Sequence, residues 1–192
     1  MDRLFLSYWL RGPGGPGLLR HVETALGLFP FSRLSPGIVA RVWGVSFTEP
    51  VLAEQPFPGP PDPAPVLAFF REFQGADIAY EVETRWDLWQ FESDWKLAPV
   101  ALSLFAFAPR FERGGEEQIR LEFGPEFNFL PSTEVAGSGR IVESNIRSLL
   151  KLVHDLDEAL PAERRQLWTE TGENFADRLE RALREYAEAT GT

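Results

Sequence analysis

Three groups of residues in this sequence have types and spacings that could do chemistry. Gly12, Gly14 and Gly17 satisfy G-x-G-x-x-G, after an apolar segment and before one of helical periodicity. In that setting a glycine-rich turn offers backbone N–H groups to the phosphates of a dinucleotide. Pro13 and Pro16 each lack that N–H. The acid expected about 20 positions onward to hold a ribose hydroxyl is also missing, because no Asp or Glu falls between Glu23 and Glu49. The segment reads as a Gly/Pro loop, and no nucleotide or other cofactor is expected.

Glu81 and Glu83 stand two apart on one face of a strand pattern, near Asp77 and Asp87. Carboxylates so placed can bind a divalent cation or divide acid and base roles between them. An outward strand face also carries charge for solubility alone, with Arg85 offsetting the repulsion, and this is the favoured reading. The two histidines, His21 and His154, flank the apolar stripes of helical segments. Asp157 and Glu158 lie within a helical turn of His154, but neither histidine belongs to a complete metal-ligand spacing. No G-x-S-x-G elbow is present to supply a serine nucleophile. Catalytic residues and metal ligands are therefore both read as none.

The third group is aromatic. Trp86, Trp89, Phe91 and Trp95 crowd together with Asp87, Glu92 and Asp94. The apolar/polar alternation of the preceding strand breaks after Leu88, because Trp89 falls on the polar side. Exposed tryptophan beside acidic residues is suited to a docking surface. The competing reading is a bulge that re-aims Trp89 into the core. The candidate interaction surface is Trp89, Phe91, Trp95, Asp87 and Asp94, with Trp86 assigned to the core.

Composition limits the partners. At 192 residues the chain fits one domain spanning 1–192, long enough to hide roughly 70% of its unfolded surface. The absence of cysteine removes disulfides, thiolate metal sites and cysteine nucleophiles. Net charge is −10, divided as +3 over residues 1–48, −10 over 49–139 and −3 over 140–192. Nucleic-acid and anionic-membrane binding need a basic stripe, and none is present. No apolar run approaches the roughly 20 residues of a spanning helix, and the N-terminal segment lacks a signal-peptide pattern. A cytoplasmic location is expected. Two lysines against seventeen arginines match the coding bias of GC-rich bacteria.

These groups must be positioned by elements legible in the periodicity. Residues 3–10 read as a strand buried on both faces, and Leu18, Val22, Ala25, Leu26 and Phe29 as a helix closed by Pro30. Residues 38–48 read as a strand with Val39, Trp43, Val45 and Phe47 on one side, followed by a short strand at 51–57. Six prolines in 56–65 predict an extended internal connection. Val66, Phe69, Phe70 and Phe73 mark a second helix. Strands follow at 78–88, 100–107 and 119–123, joined by turns at Gly114-Gly115 and Gly124-Pro125. After a Gly/Ser loop at 136–139, one helix runs to Pro161. A second begins there, with Leu167, Trp168, Phe175, Leu179, Leu183 and Tyr186 as its buried face.

The expected fold is α+β, with a ferredoxin-like βαββαβ order in the N-terminal half, a β-meander, and two C-terminal helices packed on the sheet. The expected function is a non-enzymatic protein-interaction or assembly module, its partner another protein or a second copy in a homodimer. One alternative is a small apolar ligand held between the sheet and the C-terminal helices. A further alternative is a carboxylate-dependent enzyme using Glu81 and Glu83.

Overall fold

The computed structural model describes residues 2–12, 17–112 and 117–191. Seven strands form one antiparallel sheet: β1 (Arg3–Leu10), β2 (Gly37–Gly44), β3 (Ala53–Pro58), β4 (Ile78–Phe91), β5 (Trp95–Phe107), β6 (Ile119–Pro125) and β7 (Ala162–Thr169). The helices are α1 (Leu18–Leu28), α2 (Pro63–Arg71), α3 (Ser138–Ala159) and α4 (Phe175–Thr190), and a 3-10 turn occupies Glu126–Phe129. The spatial strand order is β3-β2-β4-β5-β6-β1-β7. The fold is α+β, and β4-β5-β6 form the expected meander.

Period-two alternation divides the sheet into two unlike faces. Leu4, Leu6 and Tyr8 of β1, Ala40 and Val42 of β2, Val82 and Trp86 of β4, and Leu121 of β6 lie in the main core. That core also holds Val22 and Leu26 of α1, Val66 and Phe70 of α2, and Leu149 and Leu156 of α3. Each large aliphatic chain buried there stabilises the fold by roughly 1.5–3 kcal/mol. The opposite face carries a second, smaller cluster of Ala79, Phe105, Phe107 and Phe111, packed with Trp43 and Phe47. No helix residue takes part in it.

The sequence expectations need four corrections. First, the succession β1-α1-β2-β3-α2-β4 is present, but its strands are not arranged as in a ferredoxin-like sheet. There the first strand sits between the third and fourth; here β1 pairs with β6 and β7, while β4 pairs with β2 and β5. Second, residues 162–169 form strand β7 rather than the start of a helix. The pairing Leu6↔Leu167 and Leu4↔Thr169 with β1 overrides the helix-forming character of Glu163, Arg164 and Gln166. Third, α4 begins only at Phe175, and Leu183 on its expected buried face is exposed. Fourth, the proline-rich stretch is shared between elements. Pro56 and Pro58 lie in edge strand β3, and Pro63 opens α2 behind an Asp62 cap that accepts from the Ala64 N–H at 2.9 Å.

Within β2, Val39 and Trp43 do share a side, the helix-free face, whereas Val45 lies beyond the strand with φ +63°. Residues 13–16 of the Gly/Pro loop and the Gly114-Gly115 turn lie outside the described residues. Among the described residues no helix is long and apolar enough to cross a membrane.

Candidate functional site

The β4–β5 hairpin is the longest element of the sheet. Its ladder runs from Ala79↔Phe107 to Phe91↔Trp95 without a register shift. β2 flanks β4 only as far as Glu83, and β6 flanks β5 only over Ser103–Ala106. Beyond those points the hairpin is an arm with no strand neighbour on either side.

Side chains hold this arm in place of strands. The Asn145 carboxamide on α3 accepts from the Trp89 N–H at 2.9 Å and donates to the Trp89 carbonyl at 2.9 Å. It also donates to the Asn128 carbonyl at 2.8 Å. Gln90 Nε2 donates to Asn128 Oδ1 at 3.1 Å, and Trp95 Nε1 donates to the Ala136 carbonyl at 3.2 Å. Asn145 is 1% exposed, so its three bonds form in a site sheltered from water.

Because the ladder contains no bulge, Trp89 keeps the parity of Asp87 and does not turn into the main core. Trp86 is 1% exposed and packs on Phe123 and Phe129. Trp89 is 37% exposed, Phe91 46%, Leu97 43% and Phe127 48%. Phe91 and Trp95 meet ring to ring at 5.4 Å. With Leu130 and Val135, these aromatics line a cavity of about 220 Å³. Asn128 also lines it, is 3% exposed, and its Nδ2 has no partner among the described residues.

The two acidic residues assigned to this surface separate. Asp94 lies in the tip turn and accepts from the Trp95 N–H at 2.8 Å, beside Glu92, which pairs with Lys96. Asp87 lies at the base of the arm. Its oxygens accept from the Ser32 hydroxyl at 2.5 Å and the Arg33 N–H at 2.9 Å, which fastens the segment after α1.

Glu81 and Glu83 are brought together, but around a cation. In register, Arg41 stands opposite Glu81 on one side and Glu54 on the other. Its Nη1 donates to Glu81 at 2.9 Å and Glu83 at 2.7 Å, its Nε donates to Glu54 at 2.5 Å, and Trp43 Nε1 donates to Glu81 at 2.7 Å. Burial alone would lower the Arg41 pKa, but the hydrogen bonds to Glu83 and Glu54 and the charge of Glu81 raise it above its ordinary value. Further along this face, the Arg120 guanidinium lies 5.3 Å from the rings of Phe105 and Phe107, between Glu117 and Glu122. Burial raises the Glu122 pKa, against the attraction of Arg120 and Arg3. The carboxylates are ion-paired, and Arg41, rather than Arg85, is their counter-ion.

A groove of about 580 Å³ opens between α3, β7 and the start of α4. Leu150, Val153 and Leu167 give it an apolar floor; His154, Asp157, Arg165 and Asn174 give it a polar rim. Asp157 does not pair with His154. It accepts from the Tyr8 hydroxyl at 2.9 Å and is ion-paired with Arg165, whose Nε lies 2.8 Å from it. Burial, then the Asp157 hydrogen bond and charge, raise the Tyr8 pKa. Elsewhere, His21 has its pKa lowered by burial and by Arg20.

Sequence reading finds the aromatic residues of the arm and misses Asn145, Arg41 and Arg165. Arg41 acts across strand pairings and Arg165 across the packing of β7 on α3, neither of which a local pattern reveals. Asn145 leaves one trace, a polar residue on the apolar stripe of α3 between Val142 and Leu149. Among the described residues, no group of three or more His, Asp or Glu is placed to hold a metal ion. Comparison of the chain with protein-family models, curated proteins and solved structures returns no match.

Proposed function

We propose that this protein is an interaction module whose docking surface is the outer half of the β4–β5 arm. One observation carries the reading: three large aromatic side chains, Trp89, Phe91 and Phe127, are exposed around a cavity, with exposed Leu97 paired opposite Trp89. Aromatic anchors clustered at a pocket supply most of the binding energy in protein interfaces. The Asn145 clasp favours the same reading, since an arm fixed before binding loses little conformational freedom on docking.

The partner is a protein segment that places one apolar side chain in the cavity and basic residues around it. Glu92, Asp94 and Glu134 are next in sequence to the lining residues Phe91, Trp95 and Val135, against two cations, Lys96, which is paired to Glu92, and Arg140, between the lining residues Ser138 and Val142. Such a rim speeds encounter with a basic partner and disfavours an acidic one.

Selection of random peptides on the immobilised protein tests this. The expected peptides share an aromatic or aliphatic anchor beside Arg or Lys, and bind Trp89→Ala at least tenfold more weakly than wild type. Peptides that bind both proteins equally would overturn the proposal. So would sedimentation data showing that a second copy already covers the arm.

A further inference from the structure

The groove between α3, β7 and α4 has a second and independent chemistry. We propose that it binds a small amphipathic carboxylate, with the Arg165 guanidinium on the carboxylate and the hydrocarbon along Leu150, Val153 and Leu167. At about 580 Å³ the groove falls inside the roughly 300–1,000 Å³ range of small-molecule pockets.

The apolar floor is unusual in what it leaves uncovered. Leu150 projects from α3, a helix otherwise buried along its apolar stripe, yet it is half exposed. Val153 is buried beside it, and Leu167 of β7 is partly buried from the other wall. An alkyl chain laid here removes the Leu150 surface from water.

The polar end selects the head group. Asp157 accepts from the Tyr8 hydroxyl and is ion-paired with Arg165, whose charge offsets its repulsion of an incoming carboxylate. The same ion pair anchors Arg165, with its Nε 2.8 Å from the Asp157 carboxylate. No described residue accepts a hydrogen bond from the terminal nitrogens of Arg165, which remain as a fork for a carboxylate. The N-terminus of α4 joins the rim at Asn174 and Ala176 and adds the positive end of a helix dipole. An ammonium head group would meet Arg165 and that dipole with the wrong sign.

Calorimetric titration of the full chain with decanoate, decylamine and the uncharged decyl maltoside, each below its micelle concentration, tests the assignment. Decanoate is expected to bind one to one, and more tightly than either other amphiphile. Arg165→Gln should weaken it about tenfold or more, the loss expected for charge-assisted hydrogen bonds. Leu150→Glu changes a half-exposed position, so it should keep the fold and still reject the alkyl chain. Trp89→Ala should bind decanoate as wild type does. The proposal fails if decanoate shows no saturable binding, or if all three amphiphiles bind alike. It also fails if affinity survives Arg165→Gln in a folded variant, or is lost in Trp89→Ala, which would place the ligand on the hairpin arm instead.

Discussion

The side chain of Asn145 pairs with the backbone of Trp89 as a neighbouring strand would, donating one hydrogen bond to its carbonyl and accepting one from its N–H. A single carboxamide thus closes the β4 edge where β2 has ended, and its second N–H bond to the Asn128 carbonyl joins the arm to the 3-10 turn.

Replacing Asn145 by Leu should therefore cost roughly 2–4 kcal/mol, since sheltered backbone groups lose partners that water replaces poorly. Denaturant melts read the loss. Hydrogen exchange should localise it, with the Trp89 amide among the most accelerated in the variant.

Trp86 and Trp89 of the arm should separate by burial. Trp86→Ala should cost roughly 3–5 kcal/mol, as expected for deleting a large buried aromatic. Trp89→Ala, at a partly exposed position, should cost about 1 kcal/mol or less. Equal and severe losses in chemical denaturation would mean that Trp89 belongs to the core.

Val45 is a β-branched residue at φ +63°, held there by its N–H to the Asp77 carbonyl and by the Glu112 N–H to its own carbonyl. Its side chain is exposed and contributes little packing. Val45→Gly should raise stability by about 1 kcal/mol, because glycine adopts this region without the Cβ clash. Thermal unfolding of the single variant measures it.

Gly139 makes room for α4. A Cβ at this position would come within 2.5 Å of the Tyr186 ring. Gly139→Ala should cost roughly 1–3 kcal/mol through overpacking. Adding Tyr186→Ala should recover much of that loss, a coupling that a double-mutant cycle in urea would read directly.

Glu122 predicts a pH effect. Its pKa is raised by burial in the folded protein, so between the ordinary carboxylate value and the raised one the folded state holds more protons than the unfolded. Stability contributed by this group is full at low pH and falls as pH rises through that window. Glu122→Gln should flatten this part of the stability–pH curve and be most favourable, relative to wild type, above the window. Urea melts across the acidic range check the sign; a Gln variant whose deficit grows with rising pH would reverse it.

The alternation of β4 from Ile78 to Leu88 and the heptad-like stripe of α3 are visible in the sequence because each element has one face in the core. Trp89 is legible for the same reason, as the place where the pattern stops describing a buried face. β7 is not legible. Its residues favour a helix when isolated, and they become a strand only because β1 offers a free edge far away in sequence. The partners of Glu81 and Glu83 are hidden likewise, since Arg41 reaches them through the register of β2 on β4. The strand order has no local signature at all, so an N-terminal half with the right succession suggests a pairing that the complete sheet replaces.

The placing of β1 has a consequence for how the chain is made. β1 lies between β6 and β7, with Leu6 paired to Leu121 on one side and to Leu167 on the other. An apolar strand synthesised before β6 and β7 must therefore wait for more than a hundred residues before either of its edges is satisfied. Such long-range pairing slows folding and lengthens the exposure of sticky intermediates. Nascent chains arrested before residue 119 should expose β1 to chaperones and to protease. Only chains extended past Thr169, with β7 clear of the exit tunnel, should bury it.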